Sequence, residues 1–157
     1  MKKLIYISIL LLFVGCDTAT KSYYEQISSK KKFSERINDI NKSIEDIRKE
    51  ENGKLINEGL DRLKYEFEVG EGDRYIVTYL FDEKGCFEIG FDGYFATKEN
   101  VLVVLDGFKS EIDLSKYKLE ESADLYRYSD KENSLTLEVD YANVDKGMAL
   151  AVIFANE

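Results

Sequence analysis

Residues 74–92 read RYIVTYLF-DEKG-CFEIGFD. Arg74–Phe81 is apolar on both faces, as a strand flanked by neighbours inside a sheet should be. Asp82-Glu83-Lys84-Gly85 is polar and ends in glycine, which predicts a turn. In Cys86–Asp92 the side chains Phe87, Ile89 and Phe91 alternate with Glu88, Gly90 and Asp92. Two period-two runs around a short polar turn predict a β-hairpin. The same alternation extends upstream, where Tyr65, Phe67 and Val69 oppose Lys64, Glu66 and Glu68, and 70–73 (GEGD) makes another turn. Downstream, Leu125–Tyr128, Ser134–Tyr141 and Met148–Phe154 form a predicted meander. In the last of these, Met148, Leu150, Val152 and Phe154 lie opposite Ala149, Ala151, Ile153 and Ala155. A face lined with alanine lets a helix approach closely.

Between the two groups of strands, Val101–Leu105 is a short β-branched run. It suggests a buried strand, with a helix capped by Thr97 as the alternative. Residues 109–124 suggest a loop or a short helix. Before the strands, Phe33, Ile37, Ile40, Ile44 and Ile47 follow a heptad-like spacing that predicts one amphipathic helix. Gly53 suits its end, and Leu55, Ile56, Leu60 and Leu63 suggest a second short helix. Two heptads are fewer than the three or four that mark a coiled coil. The expected role of the helix is to pack on the alanine face of the sheet, with a self-associating stalk as the alternative. The fold class is therefore α+β: an N-terminal amphipathic helix followed by an antiparallel sheet of about six to seven strands. Tyr94–Leu102 and Tyr126–Leu135 both run from aromatics through Lys-Glu-Asn into an apolar run, and suggest two turns of similar chemistry.

Charge and aromatic content divide the chain of 157 residues, which carries a net charge of −9. Residues 16–60 hold nine acids and nine bases, whereas residues 61–157 hold 22 acids and 11 bases. Fifteen of the aromatic residues lie in the second part. This predicts a tether and helix over 16–60 and an acidic β-rich domain over 61–157. An acidic surface repels nucleic-acid backbones, so no nucleic-acid partner is expected. Tyrosines beside carboxylates suit a basic protein, because the ring supplies contact area and the charge steers encounter.

The composition also limits the chemistry. The chain contains no His, which excludes a Ser-His-Asp triad, a Cys-His pair and His-ligated zinc. No segment matches a glycine-rich phosphate loop or the spacing of a Ca²⁺ loop. Ser-x-x-Lys occurs at Ser28/Lys31, Ser29/Lys32 and Ser115/Lys118 without the other elements of a penicillin-recognising site. Neither a cofactor nor a metal nor an enzymatic activity is expected. Cys86, flanked by Gly85 and Phe87, is expected to be a small buried hydrophobe.

The N-terminus carries the clearest motif. Residues 1–16 read MKKLIYISILLLFVGC. Lys2 and Lys3 precede an apolar run from Leu4 to Val14, too short for a membrane span and suited to a secretory leader. Phe13-Val14-Gly15-Cys16 resembles a bacterial lipobox, with Phe in place of the usual Leu. The resemblance implies that 1–15 is a lipoprotein signal peptide, that cleavage precedes Cys16, and that Cys16 takes the lipid. Processing would remove Lys2 and Lys3 and no acid, taking the net charge to −11. The expected location is a bacterial membrane, inner or outer, with Cys16 in the lipid bilayer.

Export, small size, acidity and the missing catalytic sets point to a non-catalytic protein-binding module of the cell envelope, most concretely an immunity-type inhibitor of a basic toxin. An envelope-assembly scaffold and a surface adhesin or small-ligand binder are the alternatives. Asp92 with Tyr94, and Asp140 with Tyr141, are the candidate partner-binding residues, since each carboxylate adjoins an aromatic near a strand end. Replacing the lipid-bearing thiol tests the anchor. Cys16→Ser should abolish incorporation of labelled palmitate and release the protein from the membrane fraction, whereas a mutant that stays membrane-bound contradicts the lipobox reading.

Overall fold

The computed structural model describes residues 23–28, 31–70, 72–130, 132 and 134–156, so the leader (1–15) and Cys16 lie outside the described residues. The chain forms one eight-stranded antiparallel sheet: β1 (Lys54–Glu58), β2 (Arg62–Gly70), β3 (Asp73–Asp82), β4 (Gly85–Tyr94), β5 (Tyr117–Glu121), β6 (Leu125–Asp130), β7 (Leu135–Asp140) and β8 (Met148–Ala155). The spatial order is β1-β2-β3-β4-β8-β7-β6-β5. Each half of the sheet is a four-stranded meander, and the halves meet where β4 pairs with β8. The hairpin predicted at 74–92 is β3–β4, with Phe81 opposite Cys86 and a bulge after Leu80 that absorbs the extra residue Phe87.

One layer of helices covers one face. It comprises α1 (Tyr23–Ser28), a 3-10 helix at Ser34–Asp39, α2 (Ile44–Glu50) and α3 (Lys98–Ser110). None of the helices among the described residues is long and apolar enough to cross a membrane. The core lies between this layer and the alternate residues of the strands, including Tyr75, Val77 and Tyr79 on β3 and Ala149, Ala151 and Ile153 on β8.

Several expectations are corrected. The Phe33–Ile47 segment is not one amphipathic helix. Ile40 is extended and Asn41 adopts a left-handed φ of 68°. The backbone leaves the helix there to pair with β4: Asn41 N–H donates to the Cys86 carbonyl at 2.8 Å, and Cys86 N–H donates to the Lys42 carbonyl at 2.8 Å. Gly85 permits this approach, since a Cβ there would stand 2.6 Å from the Asn41 oxygen. Ser43 then caps α2, its side chain accepting from Asp46 N–H. The predicted short helix at 55–63 is instead β1 and the start of β2, so Lys54–Glu58 is an edge strand of the sheet. The buried strand expected at Val101–Leu105 lies within α3. The alternative held for that segment is the observed one: the Thr97 hydroxyl accepts from Asn100 N–H at 3.1 Å.

It is also α3, rather than the Phe33–Ile47 segment, that packs on the alanine face of β8. The loop or helix expected at 109–124 contains β5, which makes the strand total eight. Tyr94–Leu102 runs from β4 into α3, while Tyr126–Leu135 runs from β6 to the start of β7. The two similar stretches therefore occupy unlike positions.

A buried polar cluster fixes the N-terminal segment to the sheet. The Arg36 guanidinium, 2% exposed, donates to the carboxylate of Glu51 and to the hydroxyl of Tyr79. The Tyr79 hydroxyl donates to Glu51 at 2.7 Å. Arg36 lies 5.7 Å from the Phe67 ring and 5.8 Å from the Tyr79 ring. Asp39, fully buried, accepts from Lys31 at 2.6 Å and from Lys42 at 3.0 Å. Farther along, Phe33 stacks on Phe108 of α3 at 4.6 Å, and Asp73 receives Tyr23, Asn100 and the Ala96 N–H. These contacts place α1, the 3-10 helix, α2 and α3 on the same side.

Burial by itself would push the Glu51 carboxyl up. The Arg36 charge and hydrogen bond, with that of Tyr79, outweigh it and hold the group below its usual 4.5. A carboxyl depressed in the folded state stabilises the fold above its unfolded value, and the gain is lost as pH falls through the folded value. Glu51→Gln leaves the Arg36 charge buried without its counter-ion. It should cost about 3–5 kcal/mol in denaturant unfolding at neutral pH, and the stability of the variant should fall less steeply below pH 4.5 than that of the wild type.

Candidate functional site

The opposite face of the sheet carries no helix among the described residues. Its side chains follow from the register. One row across the strands is Ile76, Asp92, Leu150, Asp140 and Leu125. The next is Lys64, Thr78, Gly90, Val152, Glu138 and Arg127. A third holds Arg62, Leu80, Glu88 and Phe154. Over these rows lies an open groove of about 770 Å³, centred where β4 meets β8.

The floor is apolar. Leu80, Leu150, Val152 and Phe154 are half-buried although no helix covers them. The walls are charged, with Glu88, Asp92, Glu138 and Asp140 toward β4 and β7 and with Arg62 and Lys64 on β2. Four carboxylates against two cations leave an acidic balance among the lining residues. Glu138 is already paired, accepting from Arg127 Nε at 2.6 Å. Asp140 accepts the Ala142 N–H at 2.7 Å. Asp92 and Glu88 have no ion-pair partner among the described residues.

The structure separates the four candidate residues. Asp92 and Asp140 face the same groove and flank Leu150. Tyr94 is on the same face one row beyond the groove, with the Arg74 guanidinium 5.4 Å from its ring centre. Tyr141 turns to the helical side. Its hydroxyl donates to Asp106 of α3 at 2.7 Å, and its ring meets that of Tyr126 at 5.3 Å. Lys109 Nζ sits 3.3 Å from the Tyr126 ring centre. Burial, then the Asp106 hydrogen bond, push the Tyr141 phenol up. Tyr141 is thus part of the seam between α3 and the sheet.

Cys86 is fully buried. Burial and the nearby Asp39 charge push its thiol up to about 12, the opposite of what a nucleophilic thiolate requires. No three of His, Cys, Asp and Glu among the described residues are placed to hold a metal ion. Comparison with protein-family models, curated proteins and solved structures finds no match.

The residues missed by sequence reasoning are Gly90, Glu88, Glu138 and the large side chains of β8. A signal for them was available. The third and eighth strands are apolar on both faces, and a chain with helices for one layer leaves one of those faces uncovered. Gly90 and Gly93, three residues apart on one strand, differ in their reasons for being glycine. A Cβ on Gly93 would stand 2.4 Å from the buried Phe95 ring, whereas a Cβ on Gly90 would meet only Thr78 Cβ, at 3.9 Å. Gly90 shows no left-handed φ either. Gly93→Ala should therefore destabilise the fold by about 1–3 kcal/mol. Gly90→Ala should leave it unchanged or raise it by up to about 1 kcal/mol. Urea unfolding of both variants checks the contrast.

Proposed function

We propose that the protein is a lipid-anchored, non-catalytic protein-binding module of the bacterial envelope. Its working surface is the uncovered face of the sheet, and its partner is a basic protein. An immunity-type inhibitor of a basic toxin is the most concrete form of this reading. The observation that supports it is the groove where β4 meets β8, with an apolar floor bordered by carboxylates. Protein-binding surfaces combine these features, a desolvatable apolar centre with charges at its edge. The lipid on Cys16 would hold the module at the membrane. The acidic excess of residues 61–157, 22 acids against 11 bases, would steer a cationic partner to it.

Of the original candidate pairs, the two carboxylates support the reading more than the two tyrosines do. Asp92 and Asp140 line one groove, while Tyr141 is occupied by Asp106. Steering by such charges fades as salt shortens the Debye length from about 10 Å at 0.1 M to about 3 Å at 1 M. With a purified basic partner, stopped-flow association should therefore slow steeply over that salt range. The double substitution Asp92→Asn with Asp140→Asn should slow association several-fold at low salt while leaving the melting temperature nearly unchanged. A partner whose association ignores both salt and these substitutions contradicts the reading.

A further inference from the structure

At Gly90, in the middle of the open face, neither backbone conformation nor packing requires a glycine. Its φ is ordinary for any residue, and a side chain there would meet only Thr78. Glycine in a strand interior marks a bulge, a tight bend or a place where a ligand or another backbone approaches closely, and the register through Gly90 is regular on both sides. Here it leaves a depression between Thr78 and Val152 in the middle of the groove.

The neighbouring row supplies the charge. Asp92 on β4 and Asp140 on β7 lie on either side of Leu150 on β8. Their Cα atoms are two strand spacings apart, about 10 Å. A cation above Leu150 would lie about 5 Å from each, within favourable reach of both carboxylates. Leu150 would support the methylene stem of a lysine or arginine whose head sits between the carboxylates.

We propose that this is a two-part socket for an extended segment of a protein partner. A large apolar side chain fills the depression over Gly90, and a lysine or arginine two residues away sits between Asp92 and Asp140. The spacing follows from the strand. Gly90 and Asp92 are two residues apart, about 6.6 Å, which is the distance between residues i and i+2 of an extended segment lying along them. A second copy of this chain is disfavoured as occupant, since the same acidic face would meet itself. The inference rests on the reading of the open face as a binding surface and specifies the chemistry of what it binds.

The test uses the full chain in non-ionic detergent and three fluorescein-labelled peptides. These are Gly-Thr-Phe-Thr-Lys-Thr-Gly, the same peptide with Ser for Phe, and the same with Glu for Lys. Fluorescence polarisation should give binding of the first, with the other two at least tenfold weaker. Gly90→Leu, which fills the depression, should weaken binding of the first peptide at least tenfold without lowering the melting temperature. Asp92→Asn with Asp140→Asn should remove the preference for Lys over Glu. The proposal is overturned if Gly90→Leu binds like the wild type, if the Lys and Glu peptides bind equally, or if no peptide binds at millimolar concentration. Val152→Glu, measured with a purified partner, separates the two levels. If it blocks the partner while Gly90→Leu does not, the socket fails and the open-face reading survives. If neither variant affects the partner, both fail.

Discussion

The pairing of Arg36 with Glu51 and Tyr79 determines which face of the sheet is left uncovered. A buried guanidinium tolerates desolvation only where its charge is matched, and Glu51 supplies that charge. Tyr79 of the third strand accepts a further hydrogen bond from the guanidinium, and the rings of Phe67 and Tyr79 flank the cation. The segment that carries Arg36 must therefore lie on the Tyr79 face. Phe33, three residues earlier, then stacks on Phe108, so the N-terminal segment and α3 share one layer. The remaining helical element among the described residues, the 3-10 turn Val144–Lys146, packs against α3 on that same side.

The uncovered face gives the groove its character. Leu150, Val152 and Phe154 would be core residues under a second layer; among the described residues no helix covers them, and they form an apolar floor. The charged residues around them follow from alternation along the same strands. Asp92 lies two positions from Gly90, and Glu138 and Asp140 occupy alternate positions on β7. The open face thus combines hydrophobic area with a surplus of carboxylates at its edge, whereas the covered face spends its polar groups internally. Tyr141, Tyr126, Asp106 and Lys109 satisfy one another along the seam with α3.

Much of this was legible in the residues. The hairpin at 74–92, the later meander and the close-approach face of β8 all follow from period-two patterning, which reports local geometry directly. The misread elements have a common physical cause. The spacing of Phe33, Ile37, Ile40, Ile44 and Ile47 satisfies a continuous helix, but a long-range contact decides the backbone: Asn41 and Lys42 pair with Cys86. Val101–Leu105 has the composition of a strand, and its local cap at Thr97 prevails because the alanine face of β8 offers a helix close packing. Lys54–Glu58 becomes a strand because β2 offers it an edge. The carboxylates of the site were visible from charge, but that Asp92 and Asp140 share a groove depends on β4 pairing with β8 across the middle of the sheet. No local pattern encodes that pairing.

The most direct test compares the two faces in living cells. A photo-crosslinking amino acid at Val152, on the floor of the open face, is set against the same residue at Val103, exposed on the outer side of α3. The account predicts a discrete crosslinked protein at Val152 that disappears when Asp92 and Asp140 are both changed to Asn, and none at Val103. A crosslink confined to Val103, or one at Val152 that is indifferent to those two carboxylates, would contradict the assignment of the open face as the binding surface.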